Sequence, residues 1–324
     1  MACRTIARAG LRLALCFFGG QALLAGPALA DEAFVTNQLS DTVSVVDLET
    51  FEEVATIPVA GKPAGVAVSR DGTRVYVTSP EGLHFTVIDA AARTVLRQVP
   101  LEHGYLGLAL SIDDRRLFLA DWYRHRISVF DTVTFERIAD IPVGKSPSGM
   151  WVTDDGRHLL TCDRDSNQLS VIDLETLTVA GTVAVGERPF AVTATEDGAT
   201  AFVANVATDD VSVVDLAAMR EVKRIPVGDT PYGVALAGGT GFVTDQHAGT
   251  ITVFDVAARE PVDTLDVSGF PEGVATGHDG RHVYGANGDR DSLVEIDTAS
   301  REVTREATVG RGPRAFGLFI RRTP

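Results

Sequence analysis

Four side chains could supply acid–base chemistry if the fold gathered them: His103, His125, His247 and Glu272. Imidazole titrates near neutrality and a carboxyl can be tuned toward it, so such a set would suit a lactonase- or lyase-type reaction. His84, His103 and His125 could instead ligate a transition metal, but no two lie at a tight ligand spacing, and scattered histidines belong on a solvated surface. The segments 163–167 and 287–291 open like calcium loops. However, Gln168 and Ser292 stand where the sixth-position Gly is needed, and Leu174 and Thr298 where the closing Glu is needed. Gly144-Lys145-Ser146 lacks the upstream Gly of a phosphate loop, and the sequence has neither a Gly-x-Ser-x-Gly elbow nor a Cys-x-x-Cys-His haem attachment. No metal or cofactor is expected.

Cys162 is the one thiol outside residues 1–30, so no internal disulfide can form in the mature chain. Its apolar flank, Leu159-Leu160-Thr161, marks it as a packed residue rather than a nucleophile. Residues 1–30 carry Arg4, Arg8 and Arg12 without an acid, an apolar run from Leu13 to Leu24, and Ala28-Leu29-Ala30, which reads as a secretory signal peptide cut after Ala30. The apolar run falls short of the roughly 20 residues that span a bilayer, so an exported, periplasmic or secreted monomer without a membrane span is expected. Lipid attachment at Cys16 is disfavoured by bulky Leu15. With 29 Lys plus Arg against 44 Asp plus Glu, the net charge of -15 excludes a nucleic-acid partner that depends on neutralising phosphates.

The elements that must position any site follow from an internal repeat. Two apolar residues followed by Asp recur, ending at Asp47, Asp89, Asp131, Asp173, Asp215, Asp255 and Asp297, with spacings of 42, 42, 42, 42, 40 and 42. A second series, ending at Asn37, Ser79, Asp121, Asp163, Asn205, Asp245 and Asn287, has the same spacings. A third places Pro63, Pro147, Pro189, Pro231, Pro271 and Pro313 in phase, with Tyr105 where the second repeat should have Pro. Each repeat holds four strand-length apolar or alternating stretches with no room for a helix. Asp-Gly pairs at 71, 155, 197 and 279 mark hairpins between the first and second strands. The Asp ending each third strand suits a turn cap rather than catalysis.

Seven such units predict an all-β, seven-bladed β-propeller over 31–324, with four antiparallel strands per blade and small residues on the innermost strand. The mature chain begins with a second-strand motif and finishes with a first-strand motif. Strand 315–320 is therefore expected beside strand 33–37, closing the ring within one blade and hiding its edges.

Phe34-Val35-Thr36-Asn37, Tyr76-Val77-Thr78-Ser79 and Phe242-Val243-Thr244-Asp245, with Pro-x-Gly at 63–65, 147–149, 231–233 and 271–273, resemble the bacterial YVTN-family β-propeller repeat. The resemblance covers residues 31–320. It implies an exported seven-bladed protein, and for some seven-repeat members an association with PQQ-dependent alcohol catabolism and its transport genes. The wider superfamily includes quinoprotein amine dehydrogenase propellers and lactonase-like enzymes. The repeat motifs carry no catalytic residues, so function must come from the site.

Strand order puts the triplets around the repeated Pro at one end of the central channel. They supply Lys62, Arg188 and Arg314 against Glu272, together with Tyr105, Phe190, Tyr232 and Phe270. Cations beside aromatic faces suit a small anion or an acidic, partly aromatic ligand. On the same face, Ser79–His84, His103–Tyr105 and Asp121–His125 replace the polar loops used elsewhere. There Trp122 and Tyr123, flanked by His103 and His125, could form an aromatic patch for a ligand or a periplasmic protein partner. Binding is the leading expectation, with the channel-mouth enzyme and a cell-surface scaffold as alternatives.

Overall fold

Seven antiparallel sheets surround one axis in the computed structural model, which describes Met1 and residues 31–323; the proposed leader and its cleavage site lie outside the described residues. With strands named a to d from the axis outward, blade 1 is Gly65–Val68, Arg74–Ser79, His84–Asp89 and Thr94–Pro100. The a strands of blades 2 to 6 are Tyr105–Leu110, Pro147–Val152, Pro189–Ala194, Pro231–Ala237 and Pro271–Thr276. Blade 7 combines both chain ends: Ile320–Arg321 is innermost, followed by Glu32–Asn37, Thr42–Asp47 and Glu52–Pro58.

Sequence pattern explains the radial order. The b and c strands are sandwiched between neighbouring blades, so residues of both parities are buried, as in Arg116–Asp121 and Arg126–Asp131. The d strands form the outer edge and are mostly exposed, with charged side chains such as those of Arg220–Pro226 blunting the unpaired edge. At the far end of each c strand the Asp caps the next turn: Asp131 Oδ1 accepts from the N–H groups of Val133 at 2.9 Å and Thr134 at 2.7 Å. Asp47, Asp173 and Asp297 do the same.

Blades are tied to one another near the axis by hydroxyl groups. Thr36, Thr78 and Thr244, each one residue before the end of a b strand, donate through Oγ1 to the carbonyls of Ala64, Leu106 and Glu272 in the following blade at 2.6–2.7 Å. The following Asn or Asp holds the b–c hairpin: Asn37 Nδ2 donates to Ser44 Oγ at 2.8 Å, and Asp245 Oδ2 accepts from Thr252 Oγ1 at 2.6 Å.

The ring closes in blade 7 as the termini predict, with one departure. Asn37 bridges Pro313 and Ala33 pairs with Ile320, so seven residues separate the two pairing positions where five separate Pro271 from Thr276 in blade 6, although both b strands span four. The surplus bulges toward the axis, and Phe316–Leu318 pairs in parallel with the a strand of blade 1. Gly317 permits the approach: its φ is +130°, and a Cβ there would stand 2.2 Å from the Val66 carbonyl oxygen.

Candidate functional site

The bulged strand decides where an axial site can be. Phe316 reaches across the bore to rings on opposite blades, its centroid 4.9 Å from Phe190 and 6.0 Å from Tyr232, which are 4.1 Å from each other. A Cβ on Gly149 of blade 3 would come within 3.2 Å of Phe316 Cζ. These three rings plug the channel on the face carrying the Pro triplets. Between the plug and the opposite face lies a cavity of about 830 Å³, within the range of small-molecule sites. Its wall is built from the small and apolar residues of the a strands, among them Ala109, Met150, Trp151, Leu236 and Leu318. Arg70, Asp154, Glu196, Asp197, His278 and Arg322 stand at its opening.

The opening lies on the a–b hairpin side, and its rim is uneven. Blade 5 connects a to b with only Gly238 and Gly239, at φ of +54° and +84°, a two-residue turn that needs left-handed backbone at both positions. A Cβ added at either Gly meets nothing within 4 Å, as at Gly198 and Gly280 in the turns of blades 4 and 6. This shortened turn accounts for the single spacing of 40 in the repeat.

The residues expected at the channel mouth surround the plugged end, where they mostly satisfy one another. Arg314 Nη1 donates to Glu272 Oε2 at 2.6 Å and to the Tyr232 hydroxyl at 3.2 Å, and Gln38 Oε1 accepts from Arg314 Nε and Nη2 at 3.1 and 3.0 Å. Gln246 Nε2 donates to the other oxygen of Glu272 at 3.0 Å. Burial pushes the Glu272 carboxyl up to about 7, opposed by Arg314 and Gln246. Lys62 is paired with Asp41 at 3.6 Å. Arg188 is exposed, and its guanidinium makes no hydrogen bond or ion pair among the described residues. Tyr105 does not reach the mouth: it is buried between blades, its hydroxyl 3.2 Å from Ser128 Oγ, because an aromatic at this position fills the inter-blade core. Phe270 is partly exposed, edge-on to His247 with centroids 5.9 Å apart.

The loops expected to cluster on this face do meet. Arg124 Nε donates to His103 Nε2 at 3.0 Å, and a Cβ on Gly104 would stand 2.8 Å from the Pro80 carbonyl oxygen. Trp122 is half-buried against the plug cluster beneath Arg164, whose Cζ is 5.6 Å from the ring centroid. Tyr123 is 67% exposed. His125 Nδ1 accepts from the Ser146 N–H at 3.2 Å, and His247 Nδ1 lies 2.9 Å from Thr230 Oγ1. No two of His103, His125, His247 and Glu272 share a hydrogen bond, and no cluster of three or more metal-ligating side chains occurs among the described residues. Cys162 is fully buried, and desolvation raises its thiol well above the ordinary range.

Met150, Trp151, Glu196 and Leu318, which line this cavity, were not among the residues singled out from the sequence, which lie around the other end of the channel. The small a-strand residues and the spacing of 40 were the available signals.

A YNCE-like beta-propeller model matches residues 18–108 and 152–241, more than half of the chain. The chain belongs to the YNCE-like beta-propeller family. No curated protein matches it. Solved structures similar to this YNCE-like propeller include Kuenenia stuttgartiensis hydrazine synthase, at TM-score 0.70 and 20% identity, covering 80% of this chain and 90% of that one. A functionally unknown Desulfotomaculum acetoxidans protein aligns at TM-score 0.75 and 16% identity over 88% and 98% of the two chains. Dihydro-heme d1 dehydrogenase NirN, solved in complex with DHE, aligns at 0.68 and 17% over 88% and 74%. At these identities the likeness is one of fold. No helix among the described residues is long and apolar enough to cross a membrane.

Proposed function

We propose that this YNCE-like propeller is an exported, non-catalytic binding protein that holds a small ligand with an apolar body in its axial cavity. The observation that carries the reading is the 830 Å³ cavity, closed at one end by Phe316 and walled by apolar a-strand residues. Such a wall removes apolar ligand surface from water at about 25 cal/mol per Å², while the rim groups orient a polar end. The candidate acid–base side chains sit on the far side of the plug, each with its own local partner, which favours binding over catalysis. NirN in complex with DHE gives a precedent, at the level of fold alone, for a chain of this shape with a small molecule. The leader-like residues 1–30 support a periplasmic setting, and the YVTN-like repeats support a place beside a quinoprotein oxidation or transport system.

Fluorescence titration with the apolar probe 1-aminoanthracene tests the cavity. Leu318→Trp places a larger side chain in the bore and should weaken binding at least about tenfold, whereas Arg188→Ala, on the plugged face, should leave it unchanged. Equal binding by Leu318→Trp and wild type would refute the assignment. The N-terminal mass of the exported protein tests cleavage after Ala30.

A further inference from the structure

The wall of the bore is made of strand edges. In every blade but one the a strand pairs only with its b strand, so among the described residues its inner edge meets no further strand. Blade 1 is the exception: Phe316–Leu318 lies in the bore as a fifth strand, with Phe316 opposite Gly65, Gly317 opposite Val66 and Leu318 opposite Ala67. The Phe316 N–H donates to the Ala64 carbonyl at 3.3 Å. The chain thus holds one instance of an extended segment added by main-chain pairing to an inner edge, and Leu318 of that segment lines the cavity.

The other inner edges are not equally open. The added strand lies against blades 2 and 6, and Ile320–Arg321 of blade 7 is only two residues long. In blade 5 the Leu236 carbonyl is taken by Thr276 Oγ1 at 2.8 Å, and in blade 4 the whole a strand, Pro189–Ala194, is buried. Blade 3 is left: Met150 and Trp151 are half-buried, and both line the cavity with Val152. The Thr153 N–H donates to the His158 carbonyl at 2.9 Å, which fixes the parity of the hairpin. Trp151 therefore bonds to Leu160 across the ladder, while the amides and carbonyls of Met150 and Val152 point away from it, toward the axis. Those four groups have no hydrogen-bond partner among the described residues.

We propose that the axial cavity takes an extended peptide, which adds as a strand to the inner edge of blade 3 at Met150 and Val152 and turns small apolar side chains onto the a-strand wall. This rests on the cavity reading above and names its ligand class. Two N–H and two C=O groups on an otherwise apolar wall discriminate between ligands of equal apolar area. A peptide backbone bonds them, whereas a hydrocarbon body shuts them off from water unbonded, at a cost for each. The facing wall residues Ala191, Val192, Ala235 and Ala275 are short, which leaves the width of the bore to the ligand.

Displacement of 1-aminoanthracene by Ac-Ala-Val-Ala-Val-NH2, and by the same peptide N-methylated at every residue, tests the pairing. Methylation removes the residues' N–H donors and adds apolar surface. The unmethylated peptide should displace the probe at about tenfold lower concentration. Amide hydrogen exchange followed by NMR should slow at Met150 and Val152 when that peptide is added, and stay as it was at Trp151, whose N–H already bonds to Leu160. Equal displacement by the two peptides, or unaltered exchange at Met150 and Val152, would overturn the strand assignment while the cavity reading stands. So would failure of the peptide to displace a probe that binds. Failure of 1-aminoanthracene to bind the wild type at all would overturn the cavity reading and this proposal with it.

Discussion

Glu32 and Arg321 stand 289 positions apart in the chain, yet Arg321 Nη1 donates to Glu32 Oε2 at 2.6 Å. Both side chains are buried. Arg93 of blade 1 donates to the other Glu32 oxygen at 2.5 Å, and Arg321 Nε donates to the Gly72 carbonyl at 2.8 Å. One carboxylate thus latches the first strand, the last strand and the next blade. Arg321→Met removes one partner from a buried pair and should cost about 3 kcal/mol, seen as a fall in Tm of about 5–10 °C. A melt within a degree of wild type would show that the latch is not needed for closure.

Deleting residues 313–324 removes the innermost strand of blade 7 together with the plug. It removes Phe319 and Ile320 from the buried cluster that they complete and exposes the inner edge of Glu32–Asn37, so thermal scans should show a lower and broader transition than any single substitution.

Phe316→Ala leaves a void against Phe190 and Tyr232 and should cost about 3 kcal/mol. The same change joins the cavity to the opposite face, so 1-aminoanthracene should bind more weakly and dissociate faster. Gly317→Ala tests the bulge separately: its Cβ collides with the Val66 carbonyl at a φ unsuited to Ala, and chemical denaturation should report a loss of at least about 1–2 kcal/mol.

Asp245 is buried without a cation, and desolvation raises its carboxyl from 3.8 to about 6 despite bonds from Thr252, Thr250 and Gly228. Because the folded value exceeds the unfolded one, folding is favoured most below about pH 4, and that advantage is lost as pH rises through 6. Asn occupies the same repeat position at 37, 205 and 287. Asp245→Asn should therefore stabilise the protein above pH 6 by up to about 3 kcal/mol and be near neutral at pH 4, as urea unfolding at both pH values would reveal.

Arg314→Met strands Glu272 in its buried site without its counter-charge. The carboxyl should move above its present value of about 7, so the loss of stability should be larger at pH 9, where ionisation is forced, than at pH 6. A loss that is the same at both pH values would show that the pair contributes no charge interaction.

Much of the fold could be read directly. The three registers located every blade, the strand motifs at the two ends identified the shared blade, and the c-strand Asp caps formed where turn chemistry placed them. The two faces were also assigned correctly, since antiparallel order follows from strand count. The surroundings of the mouth residues were less legible. Lys62 and Arg314 looked like ligand-binding cations because sequence order does not show Asp41 beside one and Glu272 beside the other. Tyr105 looked like a mouth residue because its place in the Pro series hides the fact that it turns into the core.

The sequence by itself determined the number of blades and the place of closure, because strand periodicity and turn caps are local and repeat every 42 residues. Only the tertiary structure decided which end of the channel is open. That depends on two surplus residues before Ile320, on Gly317 allowing them onto the edge of blade 1, and on Phe316 meeting Phe190 and Tyr232 across the axis. Those contacts join residues far apart in sequence and break the repeat, so no periodic reading contains them.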